Sequence, residues 1–301
     1  MPQATVATRD GTTTTLPEET VEAFRQRLRG PLLSPGDEGF EEATRIWNGM
    51  IEKTPALVVR PTGTADVVAA VNFARDDDLL LSVKGGGHNI AGTALADDGL
   101  TIDTSRLRGV LVDPEEQIAT AQAGCLLGDL DRETQLHGLV TPGGFVSETG
   151  LAGLTLGGGF GYLTRRFGWT VDDLLEVEIV TADGEVRRAS REESEDLFWA
   201  VRGAGHHFGV VTSFTFELHE VGPTVYGGLI AWPFERADEF LEAYRELTAE
   251  APRELTAFVI IRRAPPAPFV PEEWHGKRIC AMTVCYSGDL GRSIRTRLCH
   301  R

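Results

Sequence analysis

The strongest constraint on the fold of this chain is the run Val83-Lys84-Gly85-Gly86-Gly87-His88-Asn89-Ile90-Ala91-Gly92, directly after the apolar stretch Leu79-Leu80-Leu81-Ser82-Val83. A short apolar run bounded by glycine reads as a strand, and three successive glycines cannot continue it. The strand therefore ends in side-chain-free backbone, whose bare N–H groups can approach an anion closely. One cation, Lys84, precedes the glycines, and one histidine, His88, follows them. Two familiar phosphate loops do not fit. A Rossmann turn needs a glycine where Ile90 stands, and a P-loop needs Gly-Lys-Ser/Thr where Gly92 is followed by Thr93-Ala94. Alone, the triglycine suits a tight turn as well as an anion cradle.

Two later stretches add to it. Pro142-Gly143-Gly144 leads into Thr149-Gly150-Leu151-Ala152-Gly153-Leu154-Thr155-Leu156-Gly157-Gly158-Gly159-Phe160-Gly161-Tyr162, a block too rich in glycine for a regular helix or strand. Backbone so bare is expected to lie against something flat or anionic, or against neighbouring backbone. Arg202-Gly203-Ala204-Gly205-His206-His207-Phe208-Gly209-Val210-Val211-Thr212 makes a third loop-to-strand junction. Three such junctions suit a long ligand with two ends.

Charge and composition narrow the partners. The chain has 301 residues, enough for two lobes, and a formal net charge of −16. Such a surface repels nucleic acid and anionic lipid, so neither is expected as a partner. No apolar run is long enough to span a bilayer, and the Thr-rich Met1–Leu16 lacks the apolar core of a signal peptide. Cys125, Cys280, Cys285 and Cys299 form neither a metal spacing nor a dense disulfide pattern, which points to a reducing, cytoplasmic compartment. His206-His207 lacks a third ligand, so no metal is expected. No Gly-x-Ser-x-Gly elbow exists for a serine hydrolase. His137, His219 and His275 read as surface or satisfied core residues, and Asp172 and Asp173 as caps of a turn after Trp169.

Elements alternate without a regular βαβ period, which favours an α+β fold. A helix followed by a Pro/Gly loop is expected over residues 17–35, a strand at Ala56–Arg60 and an amphipathic helix over Thr64–Arg75. Leu79–Val83 and Gly99–Asp103 read as strands, and hairpins turn at Asp113–Glu116 and at Asp183-Gly184. Leu127–His137 and Glu192–Val201 read as helices, and Val210–Leu218 as a strand. A sheet-based lobe begins near Val221, with strands at Tyr226–Trp232, Thr256–Arg262 and Ile279–Tyr286 around a helix over Arg236–Thr248. Gly291–Arg301 carries four arginines and no acid. A basic tail for a partner is one reading; interrupted or frame-shifted coding of a longer chain is the preferred one.

The three glycine junctions, in this order, resemble the FAD-linked oxidases of the berberine-bridge-enzyme-like group, within the vanillyl-alcohol-oxidase flavoprotein superfamily. The likeness runs from about Pro55 to Glu220. It implies a PCMH-type FAD-binding domain of two α/β subdomains, followed by a sheet-plus-helix substrate domain that is incomplete here. The expected division is an N-terminal segment (1–54), the FAD domain (55–221), a partial substrate domain (222–290) and the basic tail (291–301). By resemblance, Lys84, Gly85, Gly86, Gly87, His88, Asn89 and Gly92 bind the FAD pyrophosphate region. His88 matches the histidine joined covalently to the flavin. Thr149, Gly150, Gly153, Gly158, Gly159 and Tyr162 lie along the cofactor, and Val211 approaches its adenine end. Val146 stands where many members carry a second, cysteinyl link, so a single link is expected, and Cys125 lies too early to substitute. The implied reaction passes a hydride from an alcohol, sugar or amine carbon to flavin, with dioxygen as acceptor. The catalytic base of the resembled enzymes comes from beyond the point where this chain stops. The alternatives are a truncated, catalytically silent FAD-binding fragment and a dehydrogenase using another electron acceptor. Oligomeric state is not legible.

Overall fold

The computed structural model describes residues 3–289. The basic run 291–301 and Cys299 lie outside the described residues. Leu57–Val59, Leu100–Asp103 and Leu81–Lys84 form a parallel sheet with Leu100–Asp103 in the middle, and Leu32–Leu33 adds an antiparallel edge. Leu32–Leu33 reads locally as loop. It becomes a strand only because Leu57–Val59 supplies a partner distant in sequence. The crossover helix Thr64–Asp76 buries Val67, Ala70, Val71 and Ala74, one stripe at helical spacing. Helix Glu18–Arg27 packs beside it, with the Phe24 and Phe73 rings stacked at 3.9 Å. Val6, Leu16, Val21 and Phe24 thus share one core with Leu57, Val67, Leu100 and Ile102.

Asp66 ties this layer together. It is 3% exposed and accepts the N–H groups of Arg29 (2.8 Å), Gly30 (3.0 Å) and Thr62 (2.8 Å), and the Thr62 hydroxyl (3.1 Å). Burial by itself would raise the carboxyl's pKa. The N–H groups of Thr62, Arg29 and Gly30 and the Thr62 hydroxyl outweigh it and hold the group below the ordinary carboxylate value. A folded pKa depressed below the unfolded one stabilises fully above the unfolded value, and that stability is lost as pH falls through the folded value. Asp66→Asn should therefore lower stability at neutral pH and flatten its decline below about pH 4. Urea midpoints measured against pH check this; an unchanged acid limb in the variant would contradict it.

The second layer is an antiparallel sheet with spatial order Val186–Ser190, Leu174–Val180, Val210–Glu217, Ile118–Gln122, Val110–Asp113. Both hairpins turn where expected. Asp113 Oδ1 accepts the Glu115 and Glu116 N–H groups, and Asp183 accepts the Thr181 hydroxyl and the Glu185 N–H. Its core holds Phe214, Phe216, Ile179 and Leu174. Cys125 sits in that core too, and burial pushes its thiol up to about 12, so it is an inert packed thiol. Val180 and Val210 reach into the other core and join the two layers.

The third unit is an antiparallel sheet with Arg278–Tyr286 between Tyr226–Pro233 and Leu255–Arg263. Helix Ala237–Glu250 covers one face through Phe240. The Arg165 guanidinium donates to the carbonyls of Leu255 (3.0 Å) and Ala251 (3.2 Å), and the Thr256 hydroxyl donates to Tyr162 O (2.6 Å). The lobe is thus fastened to the segment that directly follows the second glycine block. The architecture is the α+β arrangement expected. Among the described residues, no helix is long and apolar enough to cross a membrane.

Candidate functional site

Three charged residues end or follow the parallel strands at their C-terminal ends: Arg60, Lys84 and Asp103. Ligands of parallel sheets gather at this end. Asp103 is fully buried and bridges both cations: Lys84 Nζ lies 3.1 Å from Oδ1, and Arg60 Nε lies 3.1 Å from Oδ2. Ser105 adds its hydroxyl at 2.9 Å and its N–H at 3.3 Å. Lys84 is 6% exposed. Its ammonium is therefore held by Asp103, so beyond Lys84 the loop presents backbone, with no cation of its own.

That backbone is distinctive. None of the N–H groups from Gly86 through Ala91 donates to another described residue. Gly87 (φ +71°) and Gly92 (φ +69°) adopt the left-handed region, which turns the loop back on itself. The loop's carbonyls are held on another side: Gly87 O accepts the Trp47 N–H at 3.0 Å, and Ile90 O accepts the Asn48 side-chain amide at 2.8 Å. The Trp47 ring lies 6.1 Å from the His88 ring, with 23° between planes. The role of residues 45–51 was not foreseen from sequence. The lone Trp-Asn pair in a stretch without periodicity was the only available signal.

Gly86 and Gly150 bring the first two junctions together. A Cβ on Gly86 would lie 2.4 Å from Gly150 N, and one on Gly150 would lie 2.3 Å from Gly86 N. Thr149 O accepts the Leu127 N–H at 2.9 Å, and the Leu151 N–H donates to Cys125 O at 2.9 Å. Despite its glycine density the block holds a short helix, Leu151–Leu156. Within those six residues only Gly153 is glycine, and the other glycines gather at the two ends. Gly153 is exposed, with no atom within 4 Å of the Cβ it lacks. Gly158 (φ +105°) and Gly159 (φ +73°) form the exit turn; the absent Gly159 Cβ would lie 2.3 Å from Thr170 Oγ1. The buried Thr155 and Thr170 hydroxyls find no partner among the described residues.

The third junction meets the second. A Cβ on Gly205 would strike Leu156 at 2.4 Å, and His206 Nε2 lies 3.7 Å from the Cβ position of Gly157. Val211 is buried in its strand, whose Thr212 O accepts the Ala123 N–H at 3.0 Å. Tyr162 turns toward the sheet lobe, with Phe145 at 4.9 Å and Phe258 at 5.7 Å. Val146, next to Phe145, is half exposed. Asp172 Oδ2 caps the turn at the Trp169 N–H (2.8 Å) as read, but Asp173 does not: its buried carboxylate pairs with His219 (2.8 Å) and accepts the Thr141 hydroxyl (3.4 Å). His275 contacts Val270 O at 3.0 Å.

A row of neutral N–H donors fits a phosphate-type anion, whereas Gly86 and Gly150 are bare because their backbones pack against each other. Residues 55–190 match the FAD binding domain family. An FAD-linked oxidoreductase of Dictyostelium discoideum is 38% identical over 244 residues, covering 80% of this chain and 53% of that protein. Crystalline 6-hydroxy-D-nicotine oxidase from Arthrobacter nicotinovorans superposes with a TM-score of 0.80 at 32% identity, covering 88% of this chain and 57% of that one. BBE-like 1 of Physcomitrella patens superposes with a TM-score of 0.80 at 27% identity, covering 91% and 57%. The chain spans about half the length of the curated relatives it matches.

Proposed function

We propose that this chain is part of an FAD-linked oxidoreductase that holds FAD through a single covalent link at His88 and oxidises a small molecule at an alcohol, sugar or amine carbon, with dioxygen as acceptor. The observation that carries this reading is the run of free N–H groups from Gly86 to Ala91 at the C-terminal end of a parallel strand. In this reading Gly85, Gly86, Gly87, Asn89 and Gly92 cradle the pyrophosphate, and Lys84 fixes the loop's root through Asp103. Thr149, Gly150, Gly153, Gly158, Gly159 and Tyr162 run along the cofactor, and Val211 backs the adenine end. Bound there, FAD would supply the two-electron acceptor for a substrate hydride. The aromatic rings of Phe145, Phe160, Tyr162 and Phe258 form an edge-packed cluster beside Tyr162's end of that path. The buried thiols of Cys125, Cys280 and Cys285 support a reducing, cytoplasmic setting, and the charge of −16 favours a small-molecule partner over nucleic acid or membrane.

The purified chain should be yellow, and after acid precipitation the colour should stay with the pellet. His88→Ala should move essentially all flavin to the supernatant. A colourless protein would overturn the FAD reading; wild-type flavin in the supernatant would overturn the link alone. Anaerobic bleaching by substrate separates a working enzyme from a silent fragment. Bleaching without peroxide production in air would identify a dehydrogenase with another acceptor.

A further inference from the structure

Arg45-Ile46-Trp47-Asn48-Gly49-Met50-Ile51 forms neither helix nor strand, yet it follows the His88 loop along its length. Ile46 approaches to 3.3 Å of the Cβ position of Gly87, and Ile51 to 2.6 Å of that of Gly92. Between these contacts, the Trp47 N–H holds Gly87 O and the Asn48 amide holds Ile90 O. A trans peptide is planar, with its C=O and the following N–H pointing in opposite directions. Fixing the Gly87 carbonyl therefore turns the His88 N–H away from Trp47. Fixing the Ile90 carbonyl does the same for the Ala91 N–H. The two bonds orient two of the six free donors. The indole is 65% exposed and lies in an offset, near-parallel arrangement with the imidazole. So large an apolar ring at the surface gains little from burial, and His88 is its aromatic neighbour.

We propose that Trp47 and Asn48 are positioning residues for the His88 loop: Asn48 holds the backbone in its anion-receptive form, and the Trp47 ring sets the imidazole plane for attachment to flavin. This rests on the FAD reading above. Attachment joins an imidazole nitrogen to a flavin methyl carbon, with one hydrogen lost from each. The two protons and two electrons so released pass to dioxygen, which leaves as hydrogen peroxide.

The test measures total flavin per protein, its acid-stable fraction and the urea midpoint for wild type, Trp47→Ala, Trp47→Phe and Asn48→Ala. Trp47→Ala should lower the acid-stable fraction at least fivefold with total flavin within twofold of wild type. Trp47→Phe, which keeps a ring, should restore most of that fraction. Asn48→Ala should instead lower total flavin, because the Ile90 peptide is released. An unchanged acid-stable fraction in Trp47→Ala would overturn the proposal. So would a parallel fall in flavin, attachment and midpoint, which is what mere loss of structure would give. If Trp47→Ala does not fold, Trp47→Leu keeps the apolar volume without the ring and takes its place. A flavin-free wild type would overturn the FAD reading and this proposal with it, whereas a loaded wild type with indifferent variants overturns this proposal alone.

Discussion

Gly86→Ala is expected to leave the protein nearly free of flavin and to lower its stability by about 3 kcal/mol, the upper end for overpacking a tight contact. The added methyl would sit 2.4 Å from Gly150 N and 2.6 Å from Gly150 Cα, and both are backbone atoms. A flexible side chain could swing away, but here the whole crossing must open. Gly150 is pinned from both sides, by Thr149 O to the Leu127 N–H and by the Leu151 N–H to Cys125 O. The damage should therefore spread to the loop that presents the free N–H groups. Gly153→Ala is the contrasting variant, since nothing lies within 4 Å of its Cβ position. Alanine is also the better helix former, by roughly 0.5–1 kcal/mol. Its flavin-free stability should hold or rise, and only flavin content should fall if the cofactor lies there. Flavin-to-protein absorbance ratios and urea midpoints measure both. Full loading and a wild-type midpoint in Gly86→Ala would refute the crossing.

The second large effect is expected from Asp103→Asn, at about 3–5 kcal/mol of stability. The carboxylate is wholly buried and faces Lys84 and Arg60 at 3.1 Å each. An amide of the same shape leaves Lys84 without its counter-charge where water cannot replace it, and leaves Arg60 its pair with Glu42 at 3.1 Å. The geometry also predicts partial rescue, because Lys84→Met removes the stranded charge. The double variant should therefore be more stable than Asp103→Asn alone. Asp78→Asn provides the surface comparison: its pair with Arg9 is more than half exposed on both sides, and its loss should scarcely move the midpoint. Urea unfolding of the four proteins decides the matter. A shift below about 1 kcal/mol for Asp103→Asn would mean the network does not hold the strand ends as described.

Much of the fold was legible because it is local. The helix Thr64–Asp76 follows helical period, and the turns at Asp113 and Asp183 carry residues whose side chains accept neighbouring N–H groups. The lobe after Val221 was visible from its strand and helix patterns. Leu32–Leu33 was not, since two leucines have no period. The helix Leu151–Leu156 was hidden by the glycines around it, which dominate any composition read over the whole block.

The candidate site divides in the same way. From its residues alone the chain determined that a strand ends in bare backbone at Gly85–Gly87, that His88 follows it, and that two more glycine junctions come later in order. These are properties of neighbouring residues, and backbone conformational freedom is written into residue type. Only the tertiary structure decided where the charges and contacts go. It assigned the Lys84 ammonium to Asp103, crossed Gly86 with Gly150, and laid Trp47 and Asn48 along the loop. Each of these joins residues distant in sequence. Which lysine meets which carboxylate, and which glycine must lack a Cβ, depends on how the strand ends align once the sheets have packed. No local pattern carries that information.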